Sequence, residues 1–356
     1  MNPGFSRLRV QGFRRLYDLD MKLAPINVLI GANGVGKTSI LEVMRLLAAS
    51  ADGHLREFLR AAGGLPSVMT LGRQEPMRFS LTRPLAEGKS QEYVLVLQTS
   101  GQGYEIIEEK IIDDIARGAI SRTERGDVEF SPFMLSPGAQ PFHKRLTSIS
   151  SYHAIDVSPR APVRSPQTMQ ITDTPGANGE DIVSCLYNLR ETDRDRFEDI
   201  EETLRAAFPS FERLEFPPAA AGLLSLAWRE RPYRHPLYAH QLSEGTLRFL
   251  WLVTLLQSPG LPTVTLIDEP EVSLHPEMLR LLVELFREAS MRTQLIVATH
   301  SDRLVSFLEP SELVICDLDE TGGMKATRAD ELDIDHWLQD YSLSELWRMG
   351  QLGGRA

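Results

Sequence analysis

The sequence predicts an α/β fold: a mixed central sheet with an antiparallel β layer and a helical lobe. Three observations predict it. The apolar, β-branched run Ile26–Ile30 leads through a glycine-rich loop into an amphipathic helix. Between residues 78 and 111 three alternating runs, RFSLTR, EYVLVLQTS and GYEIIEEKI, read as a meander with turns at AEGKS and SGQG. Beyond residue 260 two apolar runs, VTLI and LIVA, each end in a cluster of chemically active side chains.

The first of these carries the most chemistry. GANGVGKT matches G-x-x-x-x-G-K-[ST] through Gly31, Gly36, Lys37 and Thr38, with a strand before it and Ile40, Leu41, Val43, Met44 and Leu47 at helical spacing after it. Glycines let backbone N–H groups curl around a phosphate, and a helix N-terminus adds its positive dipole end. Asn33, Gly34, Gly36, Lys37, Thr38 and Ser39 are therefore the expected nucleotide-binding residues, with Lys37 on the β- and γ-phosphates and the Thr38 hydroxyl on Mg²⁺. By chance the four fixed positions coincide in roughly one chain of this length per hundred, before the flanking strand and helix are required.

Upstream, LRVQGFRRLYDLDMKL alternates Leu8, Val10, Leu19, Met21 and Leu23 around a bend at Arg14 and Arg15, which predicts an antiparallel hairpin. Charged residues at a bend usually face water; the sharper reading sets Arg14 beside nucleotide phosphates or a nucleic-acid backbone. From 117 to 170 the chain is rich in Ser, Pro, Gly and Arg, and irregular surface is expected there. Residues 179–209 return to helical periodicity in two pieces broken around 191–193. The organisation expected is one domain: a first lobe over about 1–115 with the phosphate loop at 31–38, an irregular and helical insert over about 116–215, and a second lobe over about 216–356.

In the second lobe, TVTLIDEPEVSLHPEM puts Asp268 and Glu269 at the end of a buried strand, where ligands of doubly wound sheets sit. Asp268 is expected to hold Mg²⁺ through water, and Glu269 to polarise the attacking water as general base, alternation along an extended backbone pointing the two in different directions. TQLIVATHSDRL repeats the arrangement with Thr299, His300 and Ser301, and His300 is a candidate for hydrogen bonding to a γ-phosphate or the lytic water. No second His or Cys stands near it at zinc-ligand spacing.

LSEGTLRFLWLV, residues 242–253, supplies another helix start, with Ser243 as N-cap and Gly245 in the first turn. A serine hydroxyl and a glycine at a helix N-terminus form a second phosphate-binding device. One loop already serves this chain's nucleotide, so the second is expected to serve a neighbour's, in a two-fold homodimer that sandwiches each ATP.

Bulk properties limit the classes. The 356 residues are 42% hydrophobic, enough for a large core. The longest apolar run, 249–256, is far short of a membrane span, so no membrane partner is expected. Two distant cysteines and an N-terminus without an apolar signal core point to the cytoplasm. A net charge of −11 opposes indiscriminate adhesion to nucleic acid; the candidate DNA footprint is Arg7, Arg9, Arg14 and Arg15 with WRERPYRH, where Arg229, Arg231 and Arg234 interleave with Trp228 and Tyr233. The aspartates of CDLDE, residues 316–320, read as a strand running into a turn.

Taken together, GANGVGKT, LSEGT, LIDEPE with SLHP, and ATHS resemble in order and spacing the phosphate loop, signature, acidic strand, dimer loop and switch histidine of ABC-type ATPases. The chain resembles in particular the RecF/SMC-like group and its stand-alone, overcoming-lysogenization-defect (OLD) type AAA-family ATPases. The opening GFRRLYDLDMKLAPINVLIGANGVGKTS and the ending YSLSELWRMGQLGG add to the likeness. The resemblance implies a P-loop NTPase of ABC-ATPase type, ATP and Mg²⁺ as cofactors, and nucleotide-binding roles for Lys37, Thr38, Ser243, Gly245, Asp268, Glu269 and His300. It also implies a glutamine that touches Mg²⁺ and the lytic water; Gln98, Gln140 and Gln167 are the candidates, and the sequence does not choose among them.

The function expected is an ATPase that dimerises around two ATP and couples the cycle to DNA or to a separately encoded effector protein, in DNA repair or phage defence. The alternatives are a nucleotide-binding subunit of a membrane transporter and a slow ATP sensor that regulates a partner enzyme.

Overall fold

The computed structural model describes residues 4–73, 75–101, 103–113, 118–124, 140–334 and 336–353, and the chain divides into two interleaved units. Unit one is Met1–Ser151, Pro262–Leu266 and Met291–Ala356; unit two is Tyr152–Leu261 and Ile267–Ser290.

Unit one opens with the predicted hairpin. β1 (Arg7–Phe13) and β2 (Leu16–Lys22) pair antiparallel up to Phe13 opposite Leu16, which leaves Arg14 and Arg15 as the two-residue bend. Both strands alternate buried and exposed positions, as a sheet with one face on the core requires. β3 (Ile26–Ile30) is buried at every position and runs through the loop into α1 (Lys37–Ala51), followed by the short helices α2 (Leu55–Ala61) and α3 (Leu65–Val68). The meander follows as β4 (Met77–Pro84), β5 (Ser90–Ser100), β6 (Gly103–Asp113) and β7 (Gly118–Glu124), completing an antiparallel sheet in the order β2-β1-β4-β5-β6-β7.

Within the stretch expected to be irregular, β7, α4 (Gln140–Thr147) and β8 (Ile149–Tyr152) are regular, while residues 125–139 lie outside those described. α4 earns its place through Phe142, whose ring meets Phe5 at 5.6 Å and Tyr93 at 6.4 Å in the core. Burying a side chain of that size contributes about 1.5–3 kcal/mol, enough to order a short helix with weak intrinsic propensity.

Unit two begins with β9 (Gln167–Thr168) and the helical pair α5 (Ile182–Thr192) and α6 (Arg194–Ala207). The break falls where expected, at Asp193, whose carboxylate accepts from the Arg196 N–H and caps α6. β10 (Phe211–Glu215), β12 (Ala227–Glu230) and β13 (Leu237–Tyr238) form one small antiparallel sheet, and β11 (Leu223–Leu224) pairs with β9. α7 (Glu244–Gln257) is buried from Leu247 to Gln257 except at Arg248, the pattern of a central helix, and packs against α5, α6 and α8 (Pro276–Ser290).

β14 (Val264–Asp268) starts in unit one and ends as the chain crosses into unit two. The last elements return to unit one: β15 (Gln294–Ala298), α9 (Asp302–Val305), β16 (Leu313–Leu318), β17 (Met324–Arg328) and α10 (Leu343–Arg348). The second sheet has the order β17-β16-β3-β15-β14-β8, with β15 and β16 both parallel to β3 and β17 antiparallel to β16. The predicted mixed central sheet and antiparallel layer are both present. The stretch expected as a second lobe from about 216 onward is shared between the units, because its strands join the β3 sheet while α7 and α8 build unit two. Among the described residues no helix is long and apolar enough to cross a membrane.

Candidate functional site

In unit one the loop after β3 turns sharply through three glycines. Gly31 has φ +149°, and a Cβ there would stand 2.2 Å from the Cys316 carbonyl oxygen of β16; Gly34 and Gly36 follow at +74° and +123°. Gly36 is also the N-cap of α1, so no side chain caps the helix and its first turn holds no acidic residue. The N–H groups there point outward with the positive end of the helix dipole, as an anion site requires. Asn33, Gly34 and Thr38 are exposed at this end, whereas Ser39 is buried.

Lys37 is almost fully buried. Its ammonium donates to the carbonyls of Gly31 (2.6 Å) and Ala32 (3.1 Å) and lies 3.4 Å from His300 Nδ1. Strand pairing causes this meeting. β15 runs parallel to β3 with Ala298 opposite Leu29, and the Thr299 N–H donates to Leu29, so the residue after it arrives beside the loop that follows β3. With Lys37 donating, Nδ1 is the acceptor and the His300 ring proton sits on Nε2. Ser301 then caps α9 by accepting from the Leu304 N–H.

Arg14 takes φ +46° at the hairpin bend, and its guanidinium stands 3.1 Å from Glu42 of α1. Four more arginines of the candidate DNA footprint are paired as well: Arg7 and Arg9 with Asp20, Arg229 with Glu215, and Arg231 with Glu212. The Arg7 hydrogen bond holds the Asp20 carboxyl below the usual carboxylate range, and the Arg231 bond does the same for Glu212. These pairs cancel much of the positive charge that the sequence displays.

In unit two the acidic pair ends β14. Asp268 is half-buried, while Glu269 is exposed and takes φ +51°, so it does not continue the extended backbone as alternation predicted. A non-glycine residue in the left-handed region costs on the order of 1 kcal/mol. That bend re-aims the Glu269 carboxylate and starts a tight loop in which Val272 N–H returns to the Glu269 carbonyl.

The signature turn is in the same unit. Ser243 is the N-cap of α7, as the sequence predicts: its hydroxyl accepts from the Thr246 N–H at 3.1 Å and lies 2.7 Å from the Thr246 hydroxyl. Gly245 is demanded by packing, since a Cβ on it would meet the Ser273 carbonyl oxygen at 2.5 Å. Ser273 in turn has φ +64°, and its hydroxyl accepts from Arg248 of α7. The first turn of α7 is thereby locked to the loop after Glu269.

Of the candidate glutamines, Gln167 is committed elsewhere: its amide donates to Pro162 and Gly179 carbonyls and accepts from the Val183 N–H at the start of α5. Gln98 sits exposed on β5 and Gln140 exposed at the start of α4, both in unit one. The residue found beside Asp268 is one that sequence reasoning missed. His153, the first after β8, places Nδ1 3.7 Å from Asp268 Oδ2. The signal was present in principle: ISSYH, like LIVATH, is a short strand ending in histidine.

The donors fit a hard cation. The Thr38 hydroxyl in unit one and the Asp268 carboxylate in unit two are each an oxygen ligand of the kind Mg²⁺ takes together with phosphate oxygens. Among the described residues no group of three or more His, Cys, Asp or Glu side chains converges to hold a metal. The aspartates of CDLDE form no such site: Asp319 accepts from Thr321 and Gly323 N–H groups and shapes the turn, as the sequence suggested.

Comparison with known proteins agrees with this anatomy. The OLD nuclease of Thermus scotoductus is 42% identical over 53 residues, 15% of this chain and 10% of the relative. The DNA replication and repair protein RecF of Vibrio vulnificus is 48% identical over 60 residues, covering 17% and 15%, and RecF of Edwardsiella ictaluri is 34% identical over 99 residues, covering 28% and 25%. The matched stretches thus span a quarter or less of these relatives. Among solved structures, the SMC head bound to the C-winged helix domain of ScpA superposes with a TM-score of 0.60 at 12% identity, over 92% of this chain and 99% of that one. An SMC head with an extended coiled coil, bound to the C-terminal domain of ScpA derived from Pyrococcus furiosus, gives 0.56 at 11% identity, over 95% and 98%. The fold is that of an ABC-type ATPase head. The family model described as "AAA domain, putative AbiEii toxin, Type IV TA system" matches residues 26–306, and the chain belongs to that family, within the RecF/SMC-like, OLD-related group of ABC-type ATPases.

Proposed function

We propose that this chain binds and hydrolyses ATP with Mg²⁺, that two copies close around two nucleotides, and that the cycle drives a separately encoded effector protein or DNA. The observation that carries the reading is the uncapped N-terminus of α1 with Lys37 and His300 converging on its loop. Bound phosphate would draw the Lys37 ammonium off the Gly31 and Ala32 carbonyls, exchanging two neutral acceptors for anionic ones; charge-assisted bonds are worth roughly twice as much.

The roles follow from the chemistry of each group. N–H groups of the loop at Asn33, Gly34 and Gly36, with Ser39 behind them, cradle the phosphates, and Arg14 would add its charge only on leaving Glu42 of α1. Thr38 and Asp268 would each offer an oxygen to Mg²⁺, whose charge would offset that of the phosphates. Glu269 accepts the proton of the attacking water, and His300 orients that water against the γ-phosphate. Ser243 and Gly245 serve the other copy's nucleotide.

The effector version is favoured over DNA by the ion-paired state of Arg7, Arg9, Arg14, Arg229 and Arg231. It is also supported by the SMC head neighbours, which were solved with ScpA domains bound. RecF, a DNA replication and repair protein by name, supports the DNA version. The test is ATP turnover with and without duplex DNA, for wild type and Glu269→Gln. The variant should trap an ATP-bound dimer in sedimentation. A monomer at saturating ATP contradicts the mechanism, and turnover indifferent to DNA leaves the effector version standing.

A further inference from the structure

Asp268 is the carboxylate expected to meet the cation, and its neighbour is an imidazole. His153 follows β8, the strand beside β14 in the sheet, and stands 3.7 Å from Asp268 Oδ2 with its ring more than half exposed. The residues around it are not loose. Tyr152 is buried against Trp251, with ring centroids 5.9 Å apart, and Ile155 is 2% exposed. The hollow that the ring helps to line is mostly apolar, with Trp251, Ile267 and Pro270, and has Arg248 as its other ionisable side chain. The ring stands between two buried anchors, with its Nδ1 edge toward the carboxylate.

A lone contact between a largely exposed imidazole and a half-buried carboxylate contributes on the order of 1 kcal/mol and does not by itself account for so constrained a setting. Shared coordination does. Two atoms bound to one octahedral ion at about 2.1 Å in adjacent positions stand about 3.0 Å apart, which a small torsional change reaches from the present separation. Gln167, the one candidate glutamine in the same unit, is occupied with backbone groups.

We infer that His153 is a nitrogen donor to the divalent cation at Asp268, giving the nucleotide site a mixed oxygen and nitrogen ligand set with raised affinity for Mn²⁺ and Co²⁺ relative to Mg²⁺. Imidazole favours such borderline ions, whereas carboxylates, hydroxyls and phosphates favour Mg²⁺. The inference rests on the nucleotide reading above.

Pulsed electron paramagnetic resonance on full-length protein labelled with ¹⁵N-histidine, loaded with Mn²⁺ and β,γ-methylene ATP, tests it. Wild type should show ³¹P coupling from the nucleotide and ¹⁵N coupling from one ligated imidazole. His153→Ala and His153→Gln should keep the first and lose the second, and Mn²⁺ affinity at saturating nucleotide should fall about tenfold or more with a smaller change for Mg²⁺. Wild type with ³¹P but no ¹⁵N coupling, or ¹⁵N coupling that survives in His153→Ala, overturns the assignment while leaving nucleotide binding intact. Absence of ³¹P coupling in folded wild type removes the nucleotide reading, and this inference with it.

Discussion

The ammonium of Lys37 lies 3.4 Å from Nδ1 of His300, a residue 263 positions away in the chain. Both groups flank the same loop, and with Lys37 donating, the histidine ring is positioned through Nδ1. Removing the amine should therefore act twice, on phosphate affinity and on the placement of His300. Lys37→Ala is expected to weaken ATP binding by about 2–3 kcal/mol, roughly 30- to 150-fold in Kd. His300→Ala should leave binding within a few fold while turnover falls. Isothermal titration separates the two; equal losses of affinity in both variants would contradict the division of labour.

Gly245 and Ser273 make a second, purely steric prediction. The added methyl of Gly245→Ala meets the Ser273 carbonyl oxygen at 2.5 Å, so the α7 start or the loop after Glu269 must shift. Such overpacking costs about 1–3 kcal/mol, readable in thermal melts, and turnover should fall with it. Gly34→Ala is the control: nothing stands within 4 Å of its added Cβ, and its penalty comes from φ +74° alone. An unchanged melting temperature in Gly245→Ala would refute the contact.

Gln167 should prove structural. Three backbone groups depend on its amide, at Pro162, Gly179 and Val183. Gln167→Ala strands polar groups in a buried place and should destabilise unit two by about 1–3 kcal/mol. Metal and nucleotide affinity measured well below the melting temperature should be unchanged; a selective loss of Mg²⁺ dependence would instead return Gln167 to the site.

The two cysteines offer a pH prediction. Burial pushes the thiols of Cys185 and Cys316 up to about 12. The reactive thiolate is then scarce until the pH approaches that value, so folded protein at pH 8 should resist maleimide and react only on unfolding. Rapid labelling of native protein at pH 8 would show that one of these sites opens.

How far the sequence reaches depends on the range of the interaction. Local chemistry was decisive for the strand, loop and helix around Lys37, for the hairpin bend at Arg14 and Arg15, for the Ser243 cap and for the Asp193 break, since each is written in a few adjacent residues. β8 and α4 were not legible, because four and eight residues of mixed polarity carry no periodicity of their own and are ordered by partners such as Phe5 and Tyr93. Glu269 left the extended backbone because a turn conformation, not side-chain alternation, governs the residue after a strand.

What only the tertiary structure decided was which polar group meets which. Sheet register brings His300 to Lys37, and the neighbouring of β8 and β14 brings His153 to Asp268, leaving Gln167 to the backbone. Residue type and spacing along the chain record the chemistry each group can perform. The distance between groups far apart in sequence is set by strand order and close packing, which no local stretch contains.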